Sequence, residues 1–265
     1  MSLVEQGLTQ YTLVDDYSYQ NFFSNFNLIT SSDPTLGFVQ YQSLDSAISN
    51  QYIGYLNESV YLGVDHTNKT PNGRPSLRLE GKKAYNQGLL IADITHMPDS
   101  TCGNWPALWM FSDPWPEMGE IDIIEGVNQQ SVNAMTLHTS AGCVVENATV
   151  SPEDQADTNG QLAFSGQMTT LNCDVDAAGQ AQNVGCSIQA PKTTPSASVT
   201  STENLPASPI LPTYGTNFNL VSGSFLVLEP YQTTSQATLP TPVTGVPHWP
   251  ISPVVSVTSR PTSRI

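Results

Sequence analysis

The sequence Gly-Glu-Ile-Asp-Ile-Ile-Glu-Gly at residues 119–126 constrains the local backbone more than any other segment of this chain. Because a strand points successive side chains to opposite faces, Glu120 and Asp122 would share one face. Glu125 would point to the other face of a regular strand, unless a β-bulge at Ile123–Ile124 adds one residue and turns it back. An α-helix would separate these carboxylates by about 200° and 140° around its axis. The segment therefore predicts a bulged strand.

Three carboxylates on one face of a curved strand indicate nucleophilic and acid–base chemistry. Glycoside cleavage with retention needs a nucleophilic carboxylate and a proton-donating carboxyl group about 5–5.5 Å apart. Crowding of like charges raises the pKa of at least one of these groups and keeps it protonated near neutral pH. Two alternatives use the same residues: a solvated acidic strand at a sheet edge, and a calcium site built from oxygen ligands.

Further motifs surround these carboxylates and extend along much of the chain. They are Cys102–Met110, Trp115-Pro116, Gly119–Asn128 and Asn133–Ser140, with weaker matches at Tyr11–Asp16, Asp33–Gly37, Ala92–Pro98, Asn172–Gly179 and Tyr214–Asn219. Together they resemble glycoside hydrolase family 16, in particular fungal laminarinase-like endo-1,3(4)-β-glucanases. The resemblance covers roughly residues 11–221.

The resemblance implies a function and assigns a role to each carboxylate. The expected reaction is retaining endo-hydrolysis of β-1,3- or mixed β-1,3/1,4-glucans, with no cofactor and no metal. Glu120 would attack the anomeric carbon, Glu125 would act as general acid and base, and Asp122 would orient and tune Glu120. The bulged spacing resembles laminarinases, whereas the unbulged spacing resembles bacterial lichenases, and this favours a 1,3-linked glucan.

Five other side chains are candidates for substrate binding. Aromatic rings offer flat apolar surfaces to sugars, although a buried core position is the commoner place for a tryptophan. The resemblance places His138 beside the carboxylates as a hydrogen-bond partner, and an arginine at position 78 along the sugar cleft. Asn128 and Asn133 either hold the backbone turn or contact sugar hydroxyls, and the sequence does not decide between these roles. The substrate-binding candidates are Trp105, Trp109, Trp115, His138 and Arg78.

Short β-like runs alternate with turn signals along the first two thirds of the chain, which predicts an all-β sandwich. The runs are Tyr52–Val64, Ser76–Leu79, Leu89–Ile94 and Met135–Thr139, with a short helix expected within Asp16–Asn27 and a loop at 150–170. The family resemblance narrows the fold to a β-jelly roll of the concanavalin A-like type.

The C-terminal part of the chain differs in composition from the rest. Residues 230–265 are dominated by Thr, Ser, Pro and Val, a composition typical of disordered or O-glycosylated segments. The resemblance ends near Val221-Ser-Gly223. We therefore expect a family domain over 1–223 that lacks its last strands, followed by a disordered non-family tail over 224–265. Such a tail is typical of a truncation, a retained intron or a frameshift, and the lost strands would compromise stability and activity.

Charge and cysteine content restrict the partners and the compartment. The formal net charge of −15 argues against nucleic acid and anionic membranes as partners. Four cysteines and three N-x-S/T sequons, at Asn57, Asn68 and Asn147, indicate a secreted, glycosylated and oxidised protein. The cysteines allow three pairings, which the sequence does not distinguish. We expect an extracellular or cell-wall monomer acting on β-glucan, although no signal peptide and no membrane span is recognisable.

Two other functions fit the same carboxylates. One is a catalytically inactive carbohydrate-binding remnant, which would keep the cleft but lose the rigidity that catalysis needs. The other is a β-glucan transglycosylase, in which a sugar acceptor replaces water on the same glycosyl-enzyme. Turnover of laminarin and the size of the products distinguish these three functions.

Overall fold

The structure, a computed structural model, describes residues 12–86, 88–145, 167–190, 213–219, 224–228 and 252–258 and is mostly β-sheet. The strands are β1 (Phe26–Leu28), β2 (Val39–Tyr41), β3 (Ile53–Leu56), β4 (Ser59–Leu62), β5 (Arg74–Gly81), β6 (Leu90–Ile94), β7 (Trp105–Phe111), β8 (Glu120–Glu125), β9 (Ala134–His138), β10 (Gln167–Thr170), β11 (Cys186–Gln189), β12 (Ser224–Leu228) and β13 (Ser252–Thr258). The helices are a 3-10 helix (Phe22–Asn25), α1 (Leu44–Ser49) and α2 (Gly215–Asn219). The predicted all-β class is confirmed.

Within the described residues, nine strands form one large sheet, in the order β1-β5-β13-β7-β8-β9-β11-β10, with β2 beside β5. The pairing is antiparallel along this order, and β2 runs parallel to β5. Strands β12 and β6 form a separate pair, as do β3 and β4. The strand that carries the carboxylates, β8, therefore lies inside the large sheet, between β7 and β9.

The apolar side chains of β8 fix which face of this strand carries the carboxylates. Ile123 is fully buried and Ile124 is 8% exposed, and Ile121 packs against the same cluster. A second cluster forms around Leu77 and Leu79 of β5, both fully buried. The other members of the first cluster are Met97, Met110, Tyr214 and Phe218. The isoleucines thus face the core and leave the opposite face of β8 for the carboxylates.

Two segments of the C-terminal tail are strands. Residues 224–228 form β12, which pairs with β6, and residues 252–258 form β13, which lies between β5 and β7. The expected disorder of the tail is therefore wrong for these two segments. A run of Ser, Val and Thr has the composition of a strand, and such a run can pair with strands that have unpaired edges. The rest of the tail lies outside the described residues.

Two further expectations are modified by the structure. The helix expected within Asp16–Asn27 is limited to the 3-10 helix Phe22–Asn25, and the chain passes directly from it into β1. The loop expected at 150–170 ends in β10, which begins at Gln167, and its earlier part lies outside the described residues.

Only two of the four cysteines pair with each other. Cys173 and Cys186 form a disulfide, whereas Cys102 is exposed and Cys143 is buried, and both are free thiols. This pairing settles a question that the sequence left open. In the described part of the chain, no helix is long and apolar enough to cross a membrane.

Candidate active site

A β-bulge in β8 brings the three carboxylates to one face, as the alternation of side chains predicted. Against β7, the register passes from Leu108–Ile124 to Trp109–Asp122, so one residue of β8 has no partner in β7. Against β9, the register shifts between Asp122 and Glu125 as well. The extra residue turns Glu125 to the same face as Glu120 and Asp122, whereas a regular strand would point it to the opposite face. The predicted bulge at Ile123–Ile124 is therefore confirmed.

Each carboxylate has a hydrogen-bond or ionic partner from a different element. The indole Nε1 of Trp115 donates to Glu120 Oε2 at 2.6 Å, and Nε1 of Trp105 donates to Glu125 Oε1 at 2.7 Å. Asp122 bonds to the side chain of Glu120, and its Oδ2 lies 3.1 Å from Nε2 of His138. The structure thus brings six of the predicted site residues together. They are Glu120, Asp122, Glu125, His138, Trp115 and Trp105.

Burial and mutual repulsion raise the pKa of two of these carboxyl groups. The pKa of Glu120 rises to about 8, chiefly because the group is buried and secondly because of the charge of Asp122. The His138 charge and the Trp115 hydrogen bond oppose this rise. The pKa of Asp122 also rises well above its usual value, through burial and then through the charge of Glu125. The pair therefore holds a proton near neutral pH.

Glu120 and Asp122 share this proton, because burial raises the pKa of both groups and Asp122 is only 2% exposed. A protonated Asp122 can donate a hydrogen bond to Glu120. Glu120 then keeps the negative charge, which the indole N–H of Trp115 and the imidazole of His138 stabilise. The arrangement supplies one ionised carboxylate with a neutral carboxylic acid next to it, and Glu125 stands on the same face.

Trp109 and Arg78 form a stacked pair beside the carboxylates, since Trp109 of β7 pairs with Asp122 of β8 in the ladder. Trp109 is 7% exposed and Arg78 is 6% exposed, and the guanidinium carbon lies 4.8 Å from the centre of the indole ring. Arg78 also pairs with Glu80 at 2.9 Å and lies 3.9 Å from Asp33. Arg78 therefore covers Trp109, and direct sugar contact by either side chain stays a prediction. Trp115, at 39% exposed, has the most accessible ring of the three predicted tryptophans.

Two asparagines that the sequence left undecided both bind backbone. Asn128 has a left-handed conformation, with φ of 57°, and its Oδ1 accepts a hydrogen bond from the Gly103 N–H at 2.8 Å. The amide of Asn133 bonds to two backbone groups of the bulge, Ile123 and Glu125.

Tyr214 was not expected to take part in this region. Its hydroxyl donates to the carbonyl of Gly126 at 2.7 Å, and a side chain at position 126 would overlap its ring. Gly126 is therefore required by this close approach. The sequence separation of 88 between Tyr214 and Gly126 explains why local sequence patterns could not show the contact.

The same residues provide a set of possible metal ligands. One ligand atom from each of Glu120, Asp122 and His138 lies within 4.8 Å of the others. Two carboxylate oxygens and one imidazole suit a transition metal better than calcium, because calcium prefers six to eight oxygen ligands. Glu120 and Asp122 already bond to neighbouring side chains, and that no metal is needed stays a prediction.

Comparison with known proteins assigns the family. A family model for the XgeA-like catalytic GH16 domain matches residues 26–204. The chain belongs to glycoside hydrolase family 16. An endo-1,3(4)-β-glucanase of Arthroderma benhamiae is 47% identical over 189 residues, which are 71% of this chain and 38% of the relative. A probable glycosidase of Schizosaccharomyces pombe is 34% identical over 219 residues, which are 83% of this chain and 45% of that relative. The chain thus spans less than half the length of these curated relatives.

Solved structures agree with this family assignment. An elongating family 16 β-1,3-glucosyltransferase superposes with a TM-score of 0.71 at 32% identity and covers 94% of this chain and 83% of its own. Laminarinase 16A from Phanerochaete chrysosporium, with β-glucans in its donor and acceptor sites, gives a TM-score of 0.70 at 28% identity, covering 94% and 84%. This GH16 chain therefore has the predicted β-jelly-roll fold.

Proposed function

We propose that this GH16 domain hydrolyses β-1,3- or mixed β-1,3/1,4-glucans internally, with retention of anomeric configuration. The observation that supports this most directly is the bulged strand β8, which turns Glu120, Asp122 and Glu125 to one face. The name of the Arthroderma relative, endo-1,3(4)-β-glucanase, supports the substrate class.

The reaction proceeds in two displacements. Glu120 attacks the anomeric carbon while Glu125 protonates the leaving oxygen, so the glycosidic C–O bond breaks and a glycosyl-enzyme ester forms. Glu125, now a carboxylate, takes a proton from water, and this water displaces Glu120 from the anomeric carbon. Asp122 keeps its proton throughout and donates a hydrogen bond to Glu120.

The remaining predicted residues surround this reaction. Trp115 has a partly exposed ring and an N–H bonded to Glu120, so it can contact a sugar and stabilise the nucleophile at once. Trp105 has the same relation to Glu125. His138 of β9 stabilises the acidic pair from one side of β8, whereas Trp109 of β7, stacked on Arg78 of β5, supports the cleft from the other side.

Reducing-sugar release from laminarin tests the proposal. We expect turnover by the wild-type chain and at least a 10³-fold loss for Glu120→Gln and for Glu125→Gln, because nucleophile and acid are each required. The exposed Glu117→Gln serves as a control and should keep full activity. Laminarin binding without turnover by the wild-type chain would instead support a carbohydrate-binding remnant.

A second function, β-glucan transglycosylation, has its own support. The superposed β-1,3-glucosyltransferase belongs to the same family and shares the fold. Both reactions proceed through the same glycosyl-enzyme and differ in whether water or a sugar hydroxyl attacks it. Mass spectrometry of the products from laminarihexaose separates them, since products longer than the substrate arise only from transfer.

We also propose an extracellular or cell-wall location and N-glycosylation. Asn57 and Asn68 both lie on the surface and both start a sequon, while Asn147 lies outside the described residues. The Cys173–Cys186 disulfide is typical of an oxidising compartment. Expression in a secreting fungal host, followed by peptide mapping with and without endoglycosidase, tests this proposal. Gel filtration tests the expected monomer.

A further inference from the structure

The bulge in β8 leaves two backbone groups that the neighbouring strand does not satisfy. The ladder with β9 joins Asp122 to Thr136 and resumes only at Glu125 with Ala134. Between these pairs lie the Ile123 carbonyl and the Glu125 N–H, on a segment where Ile123 and Ile124 are buried. Buried backbone groups of this kind need a partner, because leaving one unsatisfied costs about 1–3 kcal/mol.

One side chain, Asn133, satisfies both groups. Its Nδ2 donates to the Ile123 carbonyl at 2.8 Å, and its Oδ1 accepts from the Glu125 N–H at 2.9 Å. Because one group needs a donor and the other an acceptor, only an amide in this orientation fits. Asn133 is 6% exposed, so neither bond has to compete with bulk water.

Asn133 is itself held at both of its backbone groups. Its N–H donates to Thr213 Oγ1 at 3.0 Å, and its carbonyl accepts from the Ala190 N–H at 2.9 Å. Gln130 adds a bond from Nε2 to the Glu125 carbonyl at 3.0 Å. Both backbone groups of Glu125 are therefore fixed by side chains from the segment that connects β8 to β9.

We propose that Asn133 is a positioning residue for Glu125, which it holds in the direction that proton donation to the leaving oxygen requires. This inference rests on the proposed glycoside hydrolysis. Asn133 touches no reacting atom, and it acts by fixing the backbone on both sides of the extra residue. Loss of its amide would let the bulge relax and turn Glu125 away, while Glu120, before the bulge, keeps its place in the ladder.

Whether the general acid Glu125 is needed depends on the leaving group, whereas the nucleophile Glu120 is needed for every leaving group. This difference gives a direct test. A dinitrophenolate leaving group departs without a proton, whereas a sugar leaving group needs the general acid. We therefore compare kcat/KM for laminarihexaose with kcat/KM for 2,4-dinitrophenyl β-laminaribioside, in the full chain and its variants. Only the first substrate depends on Glu125 in the bond-breaking step.

Asn133→Leu removes both hydrogen bonds and keeps the branched shape and the number of side-chain heavy atoms, and Asn133→Asp keeps the acceptor for the Glu125 N–H. We expect kcat/KM for laminarihexaose to fall about 10²-fold in Asn133→Leu and less in Asn133→Asp, with changes under about threefold for the dinitrophenyl substrate. The graded effect of Asn133→Asp carries the test if Asn133→Leu does not fold.

Asn219 provides a matched control. Its amide makes the same pair of bonds to one backbone, accepting from the Met97 N–H at 3.0 Å and donating to the Met97 carbonyl at 2.9 Å. Asn219→Leu should lower the melting temperature without changing the ratio between the two substrates. Equal losses on both substrates in the Asn133 variants would overturn the positioning role, as would a selective loss on laminarihexaose in Asn219→Leu like that of Asn133→Leu. An inactive wild-type chain would instead overturn the proposed function and this inference together.

Discussion

At the scale of single residues, the site is built on hydrogen bonds from indole N–H groups to carboxylates. The sequence suggested tryptophan rings as surfaces for sugars, but Trp105 and Trp115 also donate to Glu125 and Glu120. The bond from Trp115 lowers the pKa of Glu120 and so favours the charged form of that carboxylate. Trp115 thus sets charge in addition to the sugar contact proposed for its ring, and a substitution that keeps an aromatic ring can separate the two roles.

Trp115→Phe should shift the acidic limb of the pH profile to higher pH. The Trp115 hydrogen bond lowers the pKa of Glu120, so its loss raises that pKa further and leaves less of the ionised nucleophile. A hydrogen bond to a charged group contributes about 1.5–3 kcal/mol, so we expect about a tenfold or larger drop in kcat/KM at pH 5. Kinetics from pH 4 to 9 measure this shift. Trp105→Phe should leave the acidic limb in place, and an unshifted limb in Trp115→Phe would contradict the prediction.

Glu120→Gln should weaken the pH dependence of stability. Folding raises the pKa of Glu120 from 4.5 to about 8 and raises that of Asp122 as well, so in this interval the folded Glu120–Asp122 pair holds a proton that the unfolded chain has released. The stabilising contribution is therefore complete below about pH 4.5 and is lost as the pH rises through 8. Thermal unfolding should show the wild-type Tm falling towards pH 8, and falling less in Glu120→Gln. The exposed Glu117→Gln should follow the wild type, and parallel Tm curves for Glu120→Gln would refute this.

At the scale of elements, strands β7, β8 and β9 form a platform whose outer end is tied to a loop. Cys186 pairs with Leu137 in the ladder, and the Thr139 N–H donates to the Cys173 carbonyl at 2.8 Å. The Cys173–Cys186 disulfide therefore joins two points on either side of His138. Its closure of a loop with a sequence separation of 13 restricts the unfolded chain as well.

Replacing Cys173 and Cys186 by serine together should lower the free energy of unfolding by about 3 kcal/mol, the value for a closed loop of this size. Urea denaturation followed by tryptophan fluorescence measures the change. Cys102→Ser is the matched control, since Cys102 is exposed and free, and should change the free energy by less than about 0.5 kcal/mol. Similar values for the two variants would show that the disulfide does not stabilise the fold.

The bulge illustrates how far local sequence reaches. Alternation of side chains predicted that Glu125 needs one extra residue before it, and the register confirms this. The two hydrogen bonds from Asn133 that hold the bulge could not be predicted in this way. Asn133 lies ten residues from Ile123 and is itself held by Thr213, eighty residues away, so its role depends on contacts that alternation does not contain.

At the scale of the whole molecule, a strand from the compositionally distinct tail completes the large sheet. The β13 backbone pairs with seven residues of β7, from Trp105 to Phe111, and with four of β5, from Leu77 to Glu80. Without β13, strands β5 and β7 would each expose an edge, and the carboxylate platform would lose its link to the Arg78 side of the sheet.

A chain that stops at residue 251 should therefore fold poorly. Removing a central strand breaks two ladders, a loss comparable to the whole stability of about 5–15 kcal/mol that a domain possesses. We expect a broad or absent thermal transition by circular dichroism, and loss of laminarin turnover. A chain that stops at residue 258 keeps β13 and serves as the control. Equal melting temperatures for the two chains would show that β13 is not needed for the fold.

The sequence by itself determined the all-β class, the bulged strand and the three carboxylates that it carries. These follow from the alternation of side chains and from short motifs, which act between residues close together in the chain. Only the tertiary structure decided that β13 lies between β5 and β7, that Arg78 covers Trp109 and that Asn133 holds the bulge. These features join residues far apart in sequence, and they form because unpaired strands, bulge backbone and buried charges each need a partner that only the folded chain brings near.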